Sequence, residues 1–189
     1  MSVLRIFLAF IALGLILALG LKIYDYASSS EEKHQTTLSS FTELSELEKL
    51  RESGGSKFET SFLSGKNLVI NFFASWCDPC KREIIEIQKI HARDYRTAEA
   101  SFYLDERSVL FVGINSGETD EVRAQQLISE TGASYLILYG DDGTLLEEVG
   151  AVGLPFTVFV NSDGVIVGKY LKAMTADDVY NRLEKYFGP

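Results

Sequence analysis

The stretch Ala74-Ser75-Trp76-Cys77-Asp78-Pro79-Cys80 carries both cysteines of the 189-residue chain. Two thiols at i and i+3, where a helix begins, can close a disulfide around a small ring. The first sits against the free amides and positive dipole end of the helix. These stabilise its thiolate, the nucleophile of disulfide exchange. The second lies one turn in, more shielded, and can attack a mixed disulfide from behind. Cys77 is therefore assigned as the attacking residue and Cys80 as the resolving one. Two other readings compete. A structural disulfide with so short a loop would constrain little of the chain. A zinc site needs four ligands, but no second cysteine pair exists and the only histidines are His34 and His91. No metal and no other cofactor is expected.

Glu83 follows Cys80 by three residues. At about 100° per residue, Cys80, Ile84, Ile87 and Ile90 share one arc, and Glu83 falls inside it. Lys81, Arg82, Glu86 and Lys89 fall outside. An acid on an apolar arc beside a thiol pair is a candidate proton acceptor for Cys80, its pKa raised by desolvation. The competing reading is an exposed first-turn acid favoured by the helix dipole. His91, on the same arc, reads as a packed core histidine. Trp76 abuts the attacking thiol and is expected to shield it, pack beside it and touch a partner. Asp78 disfavours a thiolate at Cys77, with Lys81 and Arg82 partly offsetting it. That argues against a strongly oxidising pair, so the reduced pair is expected to donate electrons.

The elements that must position these residues follow from hydrophobic periodicity. Phe41, Leu44, Leu47 and Leu50 lie near helical spacing, so a short helix is expected over 41–52, ended by Gly54-Gly55. Residues 67–74 (NLVINFFA) and 109–114 (VLFVGI) read as buried strands. Residues 78–93 read as the helix behind the cysteine pair. A second helix is expected over 118–131, with Ala124, Leu127, Ile128 and Thr131 on one face and Gly132 as its stop. A third strand covers 135–139, and Gly140-Asp141-Asp142-Gly143 reads as a turn. Strands over 156–160 and 165–171 flank the hairpin signal Asn161-Ser162-Asp163-Gly164. A final helix covers 175–187, with Thr175 and Asp178 as a capping box and Val179, Leu183, Tyr186 and Phe187 as its apolar stripe. Two helical crossovers imply parallel pairing and the closing hairpin is antiparallel, which predicts an α/β fold with a mixed central sheet and helices on both faces. Phe72, Phe73, Phe111 and Phe159 are expected in its core.

Apolar residues form 46% of the chain, enough for a sizeable core. A formal charge of −9 disfavours nucleic acid or an anionic membrane surface as partner. Residues 6–21 (IFLAFIALGLILALGL) carry no charge, and with Val3, Leu4 and Ile23 around Arg5 and Lys22 they reach the length of a transmembrane helix. A cleaved signal segment is the other reading, with Ala27-x-Ser29 as a poor cleavage site. Arg5 before the run and Asp25, Glu31 and Glu32 after it place the N-terminus inside and the domain outside. The expected organisation is an anchor over 1–24, a polar linker over 25–40 and a folded domain over 41–189. The domain would then face an oxidising, extracytoplasmic space.

The segment VINFFASWCDPCKRE resembles the active-site segment of thioredoxin-like proteins. Within them it is most similar to the membrane-anchored TlpA/ResA/DsbE-type thiol–disulfide oxidoreductases, over roughly residues 58–187. A second matching element is Gly150-Ala151-Val152-Gly153-Leu154-Pro155-Phe156-Thr157. The resemblance implies a thioredoxin fold, a cis Pro155 beside the cysteine pair, and Leu154 backbone exposed to pair with an extended substrate segment. A trans proline that simply starts a strand is the alternative at Pro155. The resemblance also supports Glu83 as the acid beside the pair, with Asn71 where thioredoxins proper carry a buried Asp. It implies a protein-disulfide reductase on the outer side of a bacterial inner membrane. Its client would be a disulfide-bearing protein, apocytochrome c among the options, and its electron donor a membrane protein of the DsbD/CcdA type. Oxidase or isomerase activity and a tethered metallochaperone are the rival functions, though copper-delivering relatives space their cysteines by three and add a histidine. Three departures stand out. The active-site helix lacks the proline many relatives carry after the pair, residues 94–107 lengthen the crossover, and Phe156 replaces the acid that cytochrome-maturation members often have after the cis proline.

Overall fold

The computed structural model describes Phe41, Leu47, and residues 49–94 and 108–188. The expected anchor, the linker and most of the long crossover lie outside the described residues. Among the described residues, no helix is long and apolar enough to cross a membrane.

The described chain runs β1 (Arg51–Glu52), a 3-10 turn (Thr60–Leu63), β2 (Asn67–Phe73), α1 (Asp78–His91), β3 (Val109–Ser116), α2 (Glu121–Thr131), β4 (Leu136–Asp141), α3 (Thr144–Glu148), β5 (Phe156–Val160), β6 (Ile166–Tyr170) and α4 (Ala176–Phe187). They form one six-stranded sheet in the order β1-β4-β3-β2-β5-β6. β2 pairs in parallel with β3, and β3 with β4; β5 joins β2, and β6 joins β5, antiparallel. This is the mixed sheet that the element order predicts, arranged as in the thioredoxin fold that the resemblance implies.

The two crossovers β2–α1–β3 and β3–α2–β4 both step the same way across the sheet. Right-handed crossovers in one direction put both helices on one face. α4 joins them there, so Ile84, Ile87, Ile90, Ala124, Leu127, Val179, Leu183 and Phe187 share a core with Val69, Phe73, Phe111 and Phe159. The opposite face buries Leu68, Ile70, Phe72, Val112, Ile114 and Val158 under Phe41, Leu47, Leu50, Phe58, Leu63 and Leu145. Helices do lie on both faces, but unequally: the three long ones on one, the 3-10 turn and short α3 on the other. The period of two along β2 sorts its residues between these cores, so Asn71 points with Val69 and Phe73 toward α1.

Several local expectations change. The helix expected over 41–52 does not reach its C-terminal end, where Arg51 and Glu52 pair antiparallel with Tyr139 and Leu138. Phe41, Leu47 and Leu50 are buried as its apolar face should be. Residues 42–46 and 48 lie outside the described residues. The open edge of β4 offers Arg51 and Glu52 backbone partners that a helix end would lack. α2 starts at Glu121, not 118, because the Asp120 side chain accepts the Arg123 amide as its cap, at 3.3 Å. Gly132 ends it at φ 67°, where a side chain would be strained. α3 was not expected. Asp141 builds it by accepting the Gly143 and Leu145 amides, both at 3.0 Å, and the Ser116 hydroxyl at 2.5 Å. The capping box at Thr175 and Asp178 forms as predicted.

α4 lies so close to β6 that Tyr186 covers Gly168, where an added Cβ would meet the ring at 2.4 Å. The same ring packs on Phe159 at 5.1 Å between centroids. Gly168→Ala should therefore cost about 1–3 kcal/mol, as overpacked sites do, read as a lowered urea midpoint at unchanged slope.

Candidate active site

Cys77 and Cys80 form a disulfide, with Cα atoms 5.2 Å apart. Cys77 is the N-cap of α1, and its Sγ accepts the Cys80 amide at 3.3 Å. Asp78 and Pro79 open the helix, a place where proline's missing N–H costs no bond. α1 then runs unbroken to His91, in keeping with the absent proline. Cys77 retains 5% exposure and Cys80 none, which fits attack by the first and resolution by the second.

The Leu154–Pro155 bond is cis. Pro155 precedes β5, whose first residue Phe156 stands opposite Phe72, at the C-terminal end of β2 from which the cysteine turn departs. The cis proline and the cysteine turn thus occupy the same end of adjacent strands. Leu154 is half-buried and packs against the core that includes Cys77 and Cys80. Trp76, next to Cys77 in sequence, is 67% exposed, which fits the expected contact with a partner better than the expected shielding of the thiol. His91 is half-buried and packs edge-on against Phe111 and Tyr135, the core role expected of it.

Glu83 is fully buried on the Cys80 face of α1. Its Oε2 accepts from Asn71 Nδ2 at 2.9 Å. Its Oε1 accepts from the Thr157 hydroxyl at 3.2 Å and the Met174 amide at 3.4 Å. Asn71 also donates to Thr157 Oγ1 at 3.1 Å, across the β2–β5 ladder where the two residues pair directly. Burial pushes the Glu83 carboxyl from 4.5 up to about 7, against the downward pull of Thr157, Met174 and Asn71. An acid poised there can take or return the Cys80 proton near neutrality. Tyr135, also buried, has its hydroxyl raised by burial and then by the Glu83 charge.

Sequence reasoning named Glu83 and Asn71 but missed Thr157 and the Met174 amide. Thr157 was within reach: once β5 pairs with β2, a polar residue inside an otherwise apolar strand marks the partner of Asn71. It also missed Glu118, which follows β3 and binds the cysteine turn; no spacing rule points to it.

A mixed sheet with a disulfide capping its first long helix and a cis proline on the neighbouring strand defines a thioredoxin-fold thiol–disulfide centre. Residues 33–183 match the Redoxin family, and the chain belongs to it. It is similar to the thiol-disulfide oxidoreductase ResA of Bacillus subtilis, 27% identical over 173 residues that cover 90% of this chain and 87% of that protein. ResA of Oceanobacillus iheyensis is 30% identical over 131 residues, 69% of this chain and 60% of that one. Among solved structures, StoA from Bacillus subtilis superposes with a TM-score of 0.55 at 22% identity, covering 70% of this chain and 92% of that one. A secreted Mycobacterium tuberculosis disulfide oxidoreductase homologous to E. coli DsbE gives 0.58 at 24% identity, covering 74% and 96%. These two likenesses show the fold.

Glu83 makes stability depend on pH. Its folded pKa of about 7 exceeds the unfolded 4.5, so the folded state keeps the proton across that window and loses stability as pH rises through it. Relative to Glu83→Gln, the wild type should lose roughly 3 kcal/mol of unfolding free energy between pH 4 and 8, measured by urea titration.

Proposed function

We propose that this protein is a membrane-tethered thiol–disulfide oxidoreductase that reduces disulfides of client proteins on the extracytoplasmic side. The observation that carries the reading is the Cys77–Cys80 disulfide capping α1, with Cys77 the more exposed residue of the pair and a buried acid three residues past Cys80 on the same helix. In the reduced protein, the Cys77 thiolate attacks one sulfur of the client disulfide. That bond breaks, a Cys77–client disulfide forms and the other client sulfur leaves as thiolate. Cys80 passes its proton to Glu83 and attacks Cys77 Sγ, expelling the second client thiolate. The client has gained two electrons, and the pair is left oxidised. Leu154 and cis Pro155 present backbone at this end of β5 to an extended client segment.

The charged residue between the cysteines favours the reducing direction. Asp78 sits in the first turn of α1 next to Cys77 and disfavours a strongly stabilised thiolate. The pair must then be re-reduced by a dithiol donor, which a membrane protein of the DsbD/CcdA type would supply. The apolar segment over 6–21 supports tethering to a bacterial inner membrane with the domain outside. The similarity to ResA supports a disulfide-bearing protein as client, apocytochrome c being one such protein.

Cys77→Ser should fall to the uncatalysed background with a protein disulfide such as insulin. Cys80→Ser should accumulate covalent mixed disulfides with envelope proteins, visible on non-reducing gels, where a metal carrier would form none. A reduction potential near −120 mV, that of a strong oxidant, would reverse the assigned direction of electron flow.

A further inference from the structure

The turn that carries Cys77 is held by a residue outside the disulfide-exchange chemistry. Residues 74–76 link β2 to α1, closed within themselves by the Cys77 amide donating to the Ala74 carbonyl at 3.2 Å. Trp76, in that turn, is mostly solvent-exposed. The anchor comes from Glu118, two residues beyond β3. Its Oε2 accepts the Ser75 backbone N–H at 2.8 Å and Asn115 Nδ2 at 2.9 Å. The Ser75 hydroxyl donates to its Oε1. Asn115 Nδ2 also reaches the Phe73 carbonyl at 3.5 Å, tying the end of β3 to the end of β2.

We propose that Glu118 is the positioning residue of the redox pair, clamping the β2–α1 turn so that Cys77 stays at the cap of α1. The inference rests on the redox reading of Cys77 and Cys80. A sulfur two residues from an unanchored turn would leave the α1 amides that stabilise its thiolate. The clamp works through its three hydrogen bonds rather than its charge, since a negative group near Cys77 disfavours the thiolate. A glutamine at this position can keep all three contacts. Its carbonyl oxygen would take the Ser75 and Asn115 N–H groups, and its NH2 would donate to the Ser75 hydroxyl. Alanine keeps none.

The test compares full-length wild type, Glu118→Gln, Glu118→Ala and Ser75→Ala. Two readouts are used: hydrogen exchange at the Ser75 amide, and the rate at which the reduced pair reacts with glutathione disulfide. Glu118→Ala should raise Ser75 exchange about tenfold and slow the thiol reaction about tenfold, the effect of losing a net hydrogen bond and of misplacing a reacting atom. Glu118→Gln should stay within about twofold of wild type on both, because the bonds survive. Should Glu118→Ala fail to fold, Ser75→Ala, which loses only the hydroxyl contact, must still slow the thiol reaction. An unchanged Ser75→Ala rate overturns the proposal. So does a Glu118→Gln protein as slow as Glu118→Ala, which would make charge the operative property, or a Glu118→Ala protein with a wild-type Ser75 amide. A wild type inert toward glutathione disulfide defeats the redox reading instead, while the Ser75 amide still decides the clamp.

Discussion

In the ladder between β2 and β5, Asn71 stands opposite Thr157 and Phe72 opposite Phe156. Most of the site follows from that register. It sets two polar side chains of neighbouring strands against each other on the face covered by α1, where both can reach Glu83. It also brings the residue before β5, the cis Pro155, to the strand end that leads into Cys77. A slip of one residue between the two strands would turn either Asn71 or Thr157 to the opposite core and strip the Glu83 carboxyl of a donor. The register is held by burial on both faces, since every residue of β5 and all but the first of β2 are buried.

Glu83 shows two opposing effects deciding a protonation state. Three donors converge on its carboxyl, which favours the anion. Complete burial under α1 opposes them and wins, leaving the group divided between its two forms near neutral pH. Neither effect alone would suit proton exchange with a thiol. Hydrogen bonds without burial would keep the acid ionised, and burial without hydrogen bonds would keep it neutral. Tyr135 and His91 extend the same low-dielectric layer beneath β3.

The sequence made the redox pair and the sheet legible because both rest on local signals. Two cysteines at a helix start and short apolar runs such as NLVINFF carry their meaning within a few residues. Glu83 was found by helical phase, which is also local. Thr157 and Glu118 were not, because their roles depend on which strands become neighbours, and no local pattern encodes that. The Arg51–Glu52 strand failed for a related reason: Phe41, Leu47 and Leu50 fit a helix by spacing, yet the nearest unpaired edge of the sheet decided the backbone. Trp76, read as a shield for the thiol and a contact for a partner, stays mostly exposed, as a partner contact requires.

That short β1 has a consequence for behaviour in a crowd. It supplies only Arg51 and Glu52, both exposed, beside β4, and Lys57 bridges Arg51 on its outer side, while Lys169 lies on the outermost strand at the far side. Charged margins discourage another chain from extending the sheet. A thiol–disulfide oxidoreductase that must meet disulfide-bearing proteins is thus kept from stitching itself to them, or to its own copies, along the flanks of its sheet.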